Sequence, residues 1–265
     1  MSHLPKRIVC MSTETTEVLY LLGEQERIVG ISGFTVRPPQ ARREKKKVSA
    51  FSSAKIGEIL ALQPDLALGF SNIQADIAAE LVRNGIAVHV FNQRSIAQIL
   101  DMIALLGAMT GKTEAAEQLI AGYQQQMDNI RAQAEQYSKR PRIYFEEWDE
   151  PLICGIRWVS ELIGLAGGID CFADLAKEPS AKNRIISAGE VVRRQPDIII
   201  ASWCGKKFRP QHLLQRPLWE TIPAIANNQV FEIKSADILQ PGPAALGDGL
   251  RQLRAIIKTW QEMQS

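Results

Sequence analysis

The segment YFEEWDEPLICGIRW, residues 144–158, places four carboxylates, two tryptophans and one arginine within fifteen residues. Two carboxylates that face each other across a cleft can act as acid and base, as glycosidases require. The acids of this segment are neighbours in sequence, and alternation along a strand would send Glu146 and Glu147 to opposite faces. This disfavours paired acid–base catalysis. A sensor or enzyme with the acids Glu146–Glu150 at its site is kept as an alternative hypothesis.

Other reactive side chains show no spacing that is typical of catalysis or metal binding. The four cysteines have no CxxC spacing, and no His or Cys stands at ligand spacing from the acids, so we expect no metal site and no covalently bound cofactor. Cys204 and His212 could form a nucleophile and a base, but no nucleophile elbow accompanies them. We expect Cys10 to be a small buried hydrophobe and His89, inside an apolar run, to lie in the core.

Ligand binding fits the residue types better than catalysis does. Aromatic side chains offer broad apolar contact at low entropic cost, and amides or charges can orient polar groups of a ligand. The aromatic candidates are Phe34, Phe51, Phe70, Trp148 and Trp203. The polar candidates are Asn72, Glu147, Arg157 and Gln240. Trp158 could serve the core or the ligand, whereas Trp219 is expected in the core.

Strand-like and helix-like runs alternate on both sides of a long helical stretch. Helices separate most of the strands, which implies parallel βαβ units with right-handed crossovers. The expected strands are residues 7–12, 27–32, 65–70, 86–91, 142–147 and 197–202. From Ser95 to Gln136 two helices meet near Gly111 without any strand signal. The basic run RREKKK, residues 42–47, is expected to be a solvated loop.

Two segments of the chain resemble each other closely. EILALQPDLALGF, from Glu58, and EVVRRQPDIIIASW, from Glu190, share Glu, Gln-Pro-Asp and an apolar run at identical offsets, 132 residues apart. The sequence therefore predicts an α/β fold of two Rossmann-like lobes with mainly parallel sheets, joined by one long α-helix, with a ligand cleft between the lobes at the carboxyl ends of the strands. The expected divisions are an N-terminal lobe, a linking helix and a C-terminal lobe, at 1–110, 111–138 and 139–265.

Composition excludes several classes of protein. The chain has 31 Lys and Arg against 29 Asp and Glu, a formal net charge of +2, which predicts no binding to nucleic acid. Its longest apolar runs are too short to span a bilayer, so no membrane insertion is expected. The N-terminal residues contain no apolar signal segment, so the sequence as written predicts a cytoplasmic protein. A monomer is expected.

The order of these motifs resembles the class III substrate-binding proteins, the helical-backbone family that serves ABC importers of vitamin B12, haem and iron siderophores. The resemblance covers nearly the whole chain. It runs through RIVCMSTETTEVLYLLG, the EILALQPDLAL unit, GIAVHVF, the long helix, ELIGLAGGIDCFAD, QPDIIIAS and NNQVFEI. Phe70 after the PDLAL strand, the EEWDEP…RW segment and SWCG are most similar to the cobalamin-binding branch.

This resemblance implies a non-enzymatic protein that holds cobalamin, or else haem or a ferric siderophore, between its lobes for an ABC permease. It further implies a periplasmic location, whereas the sequence as written predicts a cytoplasmic one; either an export signal was removed or lost, or the chain is a cytoplasmic relative. Family members contact the permease through one acid on each lobe. The matching positions in this sequence are Asp76 and Glu190.

Overall fold

The computed structural model describes residues 4–264. It divides into two units, the first formed by Met1–Gln93 with Ala97–Gly122 and the second by Arg94–Ile96 with Tyr123–Ser265. The division falls inside the long helix, between Gly122 and Tyr123. The lobe boundaries expected from the sequence stay a prediction.

The first unit contains a five-stranded sheet in which every neighbouring pair is parallel. Its strands are β1 (Ile8–Cys10), β2 (Ile28–Ser32), β3 (Lys46–Ser49), β4 (Leu66–Phe70) and β5 (Ala87–Phe91). They lie in the order β3-β2-β1-β4-β5. All residues of β1 and β4 are buried, since helices cover both faces of a parallel sheet. This explains why both strands read as continuous apolar runs, and Cys10 is buried as predicted.

Each of the first four strands is followed by a helix, and the fifth strand is followed by two consecutive helices. The helices are α1 (Thr13–Leu21), α2 (Pro39–Glu44), α3 (Ile56–Ala61), α4 (Ala75–Arg83), α5 (Ile96–Thr110) and α6 (Thr113–Ala134). The chain turns between α5 and α6 at Gly111, where the two helices were predicted to meet. The φ of Gly111 is +72°, a left-handed value that glycine adopts readily. Gly107 allows close packing, because a Cβ there would lie 2.4 Å from the Cβ of Ala116.

Two expectations for this unit are wrong. The basic run at 42–47 is not a loop, since it ends α2 and begins β3. In β3, Lys46 and Lys47 are exposed to solvent and Val48 is buried. Charged residues are common on edge strands, so this strand forms with few apolar residues. His89 is not a core histidine. It lies half-buried in the edge strand β5 against Phe91, and partial burial lowers the pKa of its imidazole.

The sheet of the second unit is mainly parallel, as predicted, with one antiparallel hairpin. Its strands are β6 (Arg142–Asp149), β7 (Leu152–Cys154), β8 (Ile169–Asp170), β9 (Ile198–Ala201) and β10 (Val230–Glu232). The order is β10-β9-β6-β7, and β8 also pairs with β6. The strand expected at 142–147 extends to Asp149, and the chain then turns into β7, so the segment EEWDEP forms the end of β6 and this turn.

Shorter helices complete the second unit. They are α7 (Arg157–Leu165), α8 (Ala188–Arg194), α9 (Gln211–Leu214), α10 (Pro223–Ala226), α11 (Ser235–Ile238) and α12 (Leu250–Glu262). Trp219 is fully buried in the core, as predicted. Trp158 is also a core residue, since it is 3% exposed and its indole N–H donates to the Ile238 carbonyl. Within residues 4–264, no helix combines the length and the apolar character needed to cross a bilayer.

Candidate functional site

The carboxyl ends of the first sheet carry all three aromatic candidates of that unit. Phe34 follows β2 and Phe51 follows β3, and their side chains are 53% and 52% exposed. Phe70 ends β4 and is buried, while Asn72 after it is exposed. Because parallel strands end at the same edge of a sheet, these four residues lie along one edge. The exposed phenyl rings provide an apolar surface for a ligand there.

One buried glutamine joins three of these strand ends. Gln74 is 1% exposed, and its side-chain N–H groups donate to the carbonyls of Met11 and Phe51, each at 3.1 Å. Its side-chain oxygen accepts from the Phe70 backbone N–H at 3.0 Å. Gly69 leaves space for this amide, since a Cβ there would lie 3.0 Å from the Gln74 oxygen. Sequence reasoning missed Gln74, because nothing local indicates its distant partners.

The backbone at the end of β4 is held in an unusual conformation. Ser71 has a φ of +61°, a left-handed value that is uncommon outside glycine. Its N–H donates to the Phe91 carbonyl at 2.7 Å, and its hydroxyl accepts from the Ile73 N–H at 3.3 Å. These bonds hold the turn between the buried Phe70 and the exposed Asn72. Strained backbone of this kind is concentrated at binding sites.

In the second unit, Glu146 is a structural acid. Its carboxylate is fully buried and accepts from the Tyr144 hydroxyl at 3.0 Å and from the Trp203 indole N–H at 3.0 Å. Arg216 donates to both carboxylate oxygens, at 2.5 and 3.0 Å. Burial, reinforced by the Glu146 charge, raises the pKa of Tyr144 well above its usual value. Glu146 therefore joins three chain segments instead of facing a substrate.

Glu147 is also engaged by an arginine. Arg184, 1% exposed, donates to both carboxylate oxygens of Glu147, at 2.5 and 3.2 Å. The Glu147 side chain keeps 21% exposure. A ligand contact to Glu147 would thus be made to a carboxylate that already holds a bidentate partner. Sequence reasoning did not identify Arg184, which lies at the end of a short 3-10 helix (Ala181–Arg184), 37 residues away.

Trp148 and Asp149 share a lysine that the sequence did not single out. The Lys206 ammonium lies 2.6 Å from Asp149 Oδ2, 5.5 Å from the centre of the Trp148 ring and 5.1 Å from that of Trp203. The Trp148 indole N–H donates to the Glu150 carbonyl at 2.8 Å, which orients its half-buried ring. These residues form the Trp148 subsite, defined as Trp148, Asp149 and Lys206.

The remaining candidates of the second unit differ in exposure. Trp203 is 3% exposed and packs edge-on against Phe208, so most of its surface lies in the core. Arg157, in the first turn of α7, is exposed and pairs with Glu161 at 2.8 Å. Gln240 is half-buried after α11. Trp148 is therefore the main aromatic surface that this unit offers to a ligand.

The geometry gives no support to the catalytic alternatives. Glu146, Glu147 and Asp149 each contact their own cation, so they do not converge as an acid and a base. The His212 ring packs against Trp203, and burial raises the pKa of the Cys204 thiol, which opposes formation of a nucleophilic thiolate. Among residues 4–264, no three His, Cys, Asp or Glu side chains gather in a metal-binding cluster.

The two acids that match the permease contacts have different surroundings. Asp76 is exposed in the first turn of α4. Glu190 lies in the first turn of α8, where Arg193 and Arg194 both bond to it. Arg194 also pairs with Asp174 at 2.8 Å. The charge of Glu190 is therefore largely compensated within its own unit, whereas Asp76 faces solvent.

The chain folds into two Rossmann-like α/β units whose strand ends carry aromatic and polar side chains. These features place it in the class of ligand-binding proteins. The chain belongs to the periplasmic binding protein family, whose model matches residues 8–236.

Known relatives and structures agree with this membership. A protein of Vibrio cholerae named "Vitamin B12-binding protein" is 26% identical over 263 residues, which cover 97% of this chain and 91% of that protein. The crystal structure of the periplasmic vitamin B12-binding protein BtuF of Vibrio cholerae matches with a TM-score of 0.77 at 23% identity, over 97% of this chain and 98% of that one. The periplasmic heme-binding protein RhuT of Roseiflexus matches with a TM-score of 0.80 at 21% identity, over 95% and 99%. The two structures establish the fold.

Proposed function

We propose that this chain is a non-enzymatic substrate-binding protein for a corrinoid of the cobalamin type and serves an ABC importer. The observation that carries the proposal is the set of accessible aromatic rings at the carboxyl ends of the strands, above all Phe34, Phe51 and Trp148. Flat rings of this kind suit a large planar ligand with an apolar face. The vitamin B12-binding name of a relative aligned over 97% of the chain supports the choice of ligand.

The polar candidates add orientation to this apolar contact. Exposed Asn72 would meet the ligand at the end of β4, and exposed Arg157 would meet it at the start of α7. Glu147 would act together with Arg184 as a neutral pair, and Gln240 as a half-buried amide. Phe70 and Trp203 would contribute mainly as the packed supports of their strand ends, since both are buried.

The test is a titration of the purified protein with cobalamin, haem and a ferric siderophore, followed by tryptophan fluorescence corrected for ligand absorbance. We expect saturable quenching by cobalamin and weaker or no response to the other two. A saturable response to haem alone would identify the alternative ligand of the same family. No saturable response to any of the three would refute the proposal.

A matched pair of variants locates the contact. Phe51→Ala removes a half-exposed ring after β3 and should weaken cobalamin binding about tenfold, which corresponds to the loss of one stacked aromatic contact of about 1.4 kcal/mol. Leu21→Ala removes a similarly exposed side chain, 51% exposed, from the far end of α1. Leu21→Ala should bind as the wild type does. Equal affinities of the two variants would contradict the assignment of the strand ends.

The importer partner is part of the same proposal. Asp76 and Glu190 would meet basic residues of a permease, with Asp76 contributing more because Arg193 and Arg194 already hold Glu190. In vesicles that contain the permease, Asp76→Lys should abolish cobalamin uptake while solution binding of cobalamin stays unchanged. Uptake that survives Asp76→Lys would contradict this contact.

A further inference from the structure

The Trp148 subsite holds a cation over the ring that the second unit offers to a ligand. The Lys206 ammonium lies between two indoles, 5.5 Å from the centre of Trp148 and 5.1 Å from that of Trp203. Its side chain keeps 38% of its surface exposed. A group that stacks on or borders Trp148 therefore reaches Lys206 as well. The chemistry of Lys206 influences which ligand groups are accepted there.

The charge of Lys206 is already compensated. Asp149 lies 2.6 Å from the ammonium and its own side chain is only 4% exposed, so the pair is held at the inner side of the subsite. The two acids that precede Trp148 are compensated separately, Glu146 by Arg216 and Glu147 by Arg184. The subsite is thus electrically neutral, although it contains a lysine.

A lysine ammonium has three donor N–H groups, and Asp149 accepts from one of them. A donor remains for an oxygen atom of a ligand. A carboxylate that accepted from this ammonium would lie only about 5 Å from the Asp149 carboxylate, given ordinary hydrogen-bond lengths of about 2.8 Å. Like charges at that distance in a partly buried site repel each other. A neutral carbonyl oxygen accepts the same bond without this repulsion.

We propose that Lys206 donates a hydrogen bond to the carbonyl oxygen of a neutral carboxamide on the ligand, and that Asp149 makes the subsite select a carboxamide over a carboxylate. This inference rests on the proposed corrinoid function and deepens it. The rim of a corrin carries carboxamides, whereas haem carries propionates in corresponding positions. The pair Lys206–Asp149 is therefore a specificity element for the amidated macrocycle.

The experiment compares cobalamin with its monocarboxylic acids, in which mild acid hydrolysis has converted one peripheral carboxamide to a carboxylate. These probes have the same size and differ in one charged group. For the acid altered at the group that meets Lys206, we expect wild-type affinity to be about tenfold weaker than for cobalamin, since the new carboxylate must lose its water and is repelled by Asp149, which together outweigh its attraction to Lys206. The acids altered elsewhere should bind as cobalamin does.

Two variants test the roles of the pair. Asp149→Asn keeps the shape of the side chain and removes its charge, so the discrimination should disappear or reverse in favour of the carboxylate. Lys206→Met keeps the apolar stem and removes the donor, so cobalamin affinity should fall about tenfold. Lys207→Met, at the exposed neighbouring lysine, is the matched control and should behave as the wild type. If Lys206→Met impairs folding by leaving Asp149 unpaired, the double variant with Asp149→Asn removes both charges and should show the same loss of affinity.

The outcomes separate this inference from the function on which it rests. Wild-type protein that binds cobalamin and every monocarboxylic acid equally would overturn the inference and leave the corrinoid function standing. Discrimination that persists unchanged in Asp149→Asn would overturn the role of the pair. A wild type that binds no corrinoid would overturn the proposed function and the inference together.

Discussion

Replacement of Gln74 by methionine should loosen the strand ends that carry the phenylalanines of the first unit. Methionine matches glutamine in length but can neither donate to the Met11 and Phe51 carbonyls nor accept from the Phe70 N–H. At about 1 kcal/mol for each of the three lost bonds, the free energy of unfolding should fall by about 3 kcal/mol. The side chain is 1% exposed, so water cannot replace these partners without opening the site.

Hydrogen exchange of the Phe70 amide measures this effect locally. Loss of about 3 kcal/mol corresponds to roughly hundredfold faster exchange of that N–H if it opens through this region. Urea denaturation followed by circular dichroism gives the global value. Tryptophan fluorescence gives a separate view, because all five tryptophans lie in the second unit.

The matched control is Gln40→Met, at an exposed glutamine of α2. It should leave both the exchange rate and the denaturation midpoint unchanged. A loss below about 1 kcal/mol in Gln74→Met, with normal protection of the Phe70 amide, would refute the view that this side chain holds the strand ends together. Cobalamin affinity should fall together with the protection, because Phe51 loses its anchor.

Further predictions concern groups outside the binding surface. Burial raises the pKa of Asp170 above its unfolded value, so the contribution of this carboxyl to stability is present at low pH and is lost as the pH rises through the folded pKa. Asp170→Asn should therefore raise the melting temperature at pH 7 but have little effect near pH 3. An equal effect at the two pH values would contradict this. Cys204 should be the cysteine that a thiol reagent labels in the native protein, because the other three are buried and burial raises the pKa of each to about 12. Mass spectrometry after digestion identifies the labelled cysteine. Rapid labelling of any other cysteine would count against this prediction. Gly107→Ala should destabilise the protein, because the new Cβ would lie 2.4 Å from the Cβ of Ala116. Gly122→Ala should instead stabilise helix α6 by about 0.5–1 kcal/mol, because a Cβ at this position meets no atom within 4 Å. Thermal melts of the two variants test both predictions.

Strands buried on both faces were predictable from the sequence, whereas the short edge strands β3 and β7 were not. The strands β1 and β4 are continuous apolar runs because helices cover them. In the edge strand β3, Val48 is the one apolar residue and follows two exposed lysines, so the sequence of this strand contains no apolar run. The three-residue strand β7 forms because β6 is present to pair with it, and no local signal marks it.

Candidate ligand residues were recognisable by type, but their partners were not. The phenylalanines after β2 and β3 are exposed as a binding surface requires. Lys206 reaches Asp149 across 57 residues and Gln74 reaches Met11 across 63, so only the folded chain reveals these contacts. Trp203 is 3% exposed and Trp148 is half-buried, although both are tryptophans, because the Trp203 indole N–H is bonded to the buried Glu146 carboxylate.

The buried carboxylate of Glu146 also has a consequence for biosynthesis. Two of its partners, Trp203 and Arg216, follow it by 57 and 70 residues. A ribosome that adds about 5–20 residues per second needs roughly 4–14 s to supply the later one. Until then the carboxylate has no guanidinium to balance it and must stay hydrated, so β6 cannot reach its final buried state. The second unit therefore completes its core only after Arg216 has been synthesised.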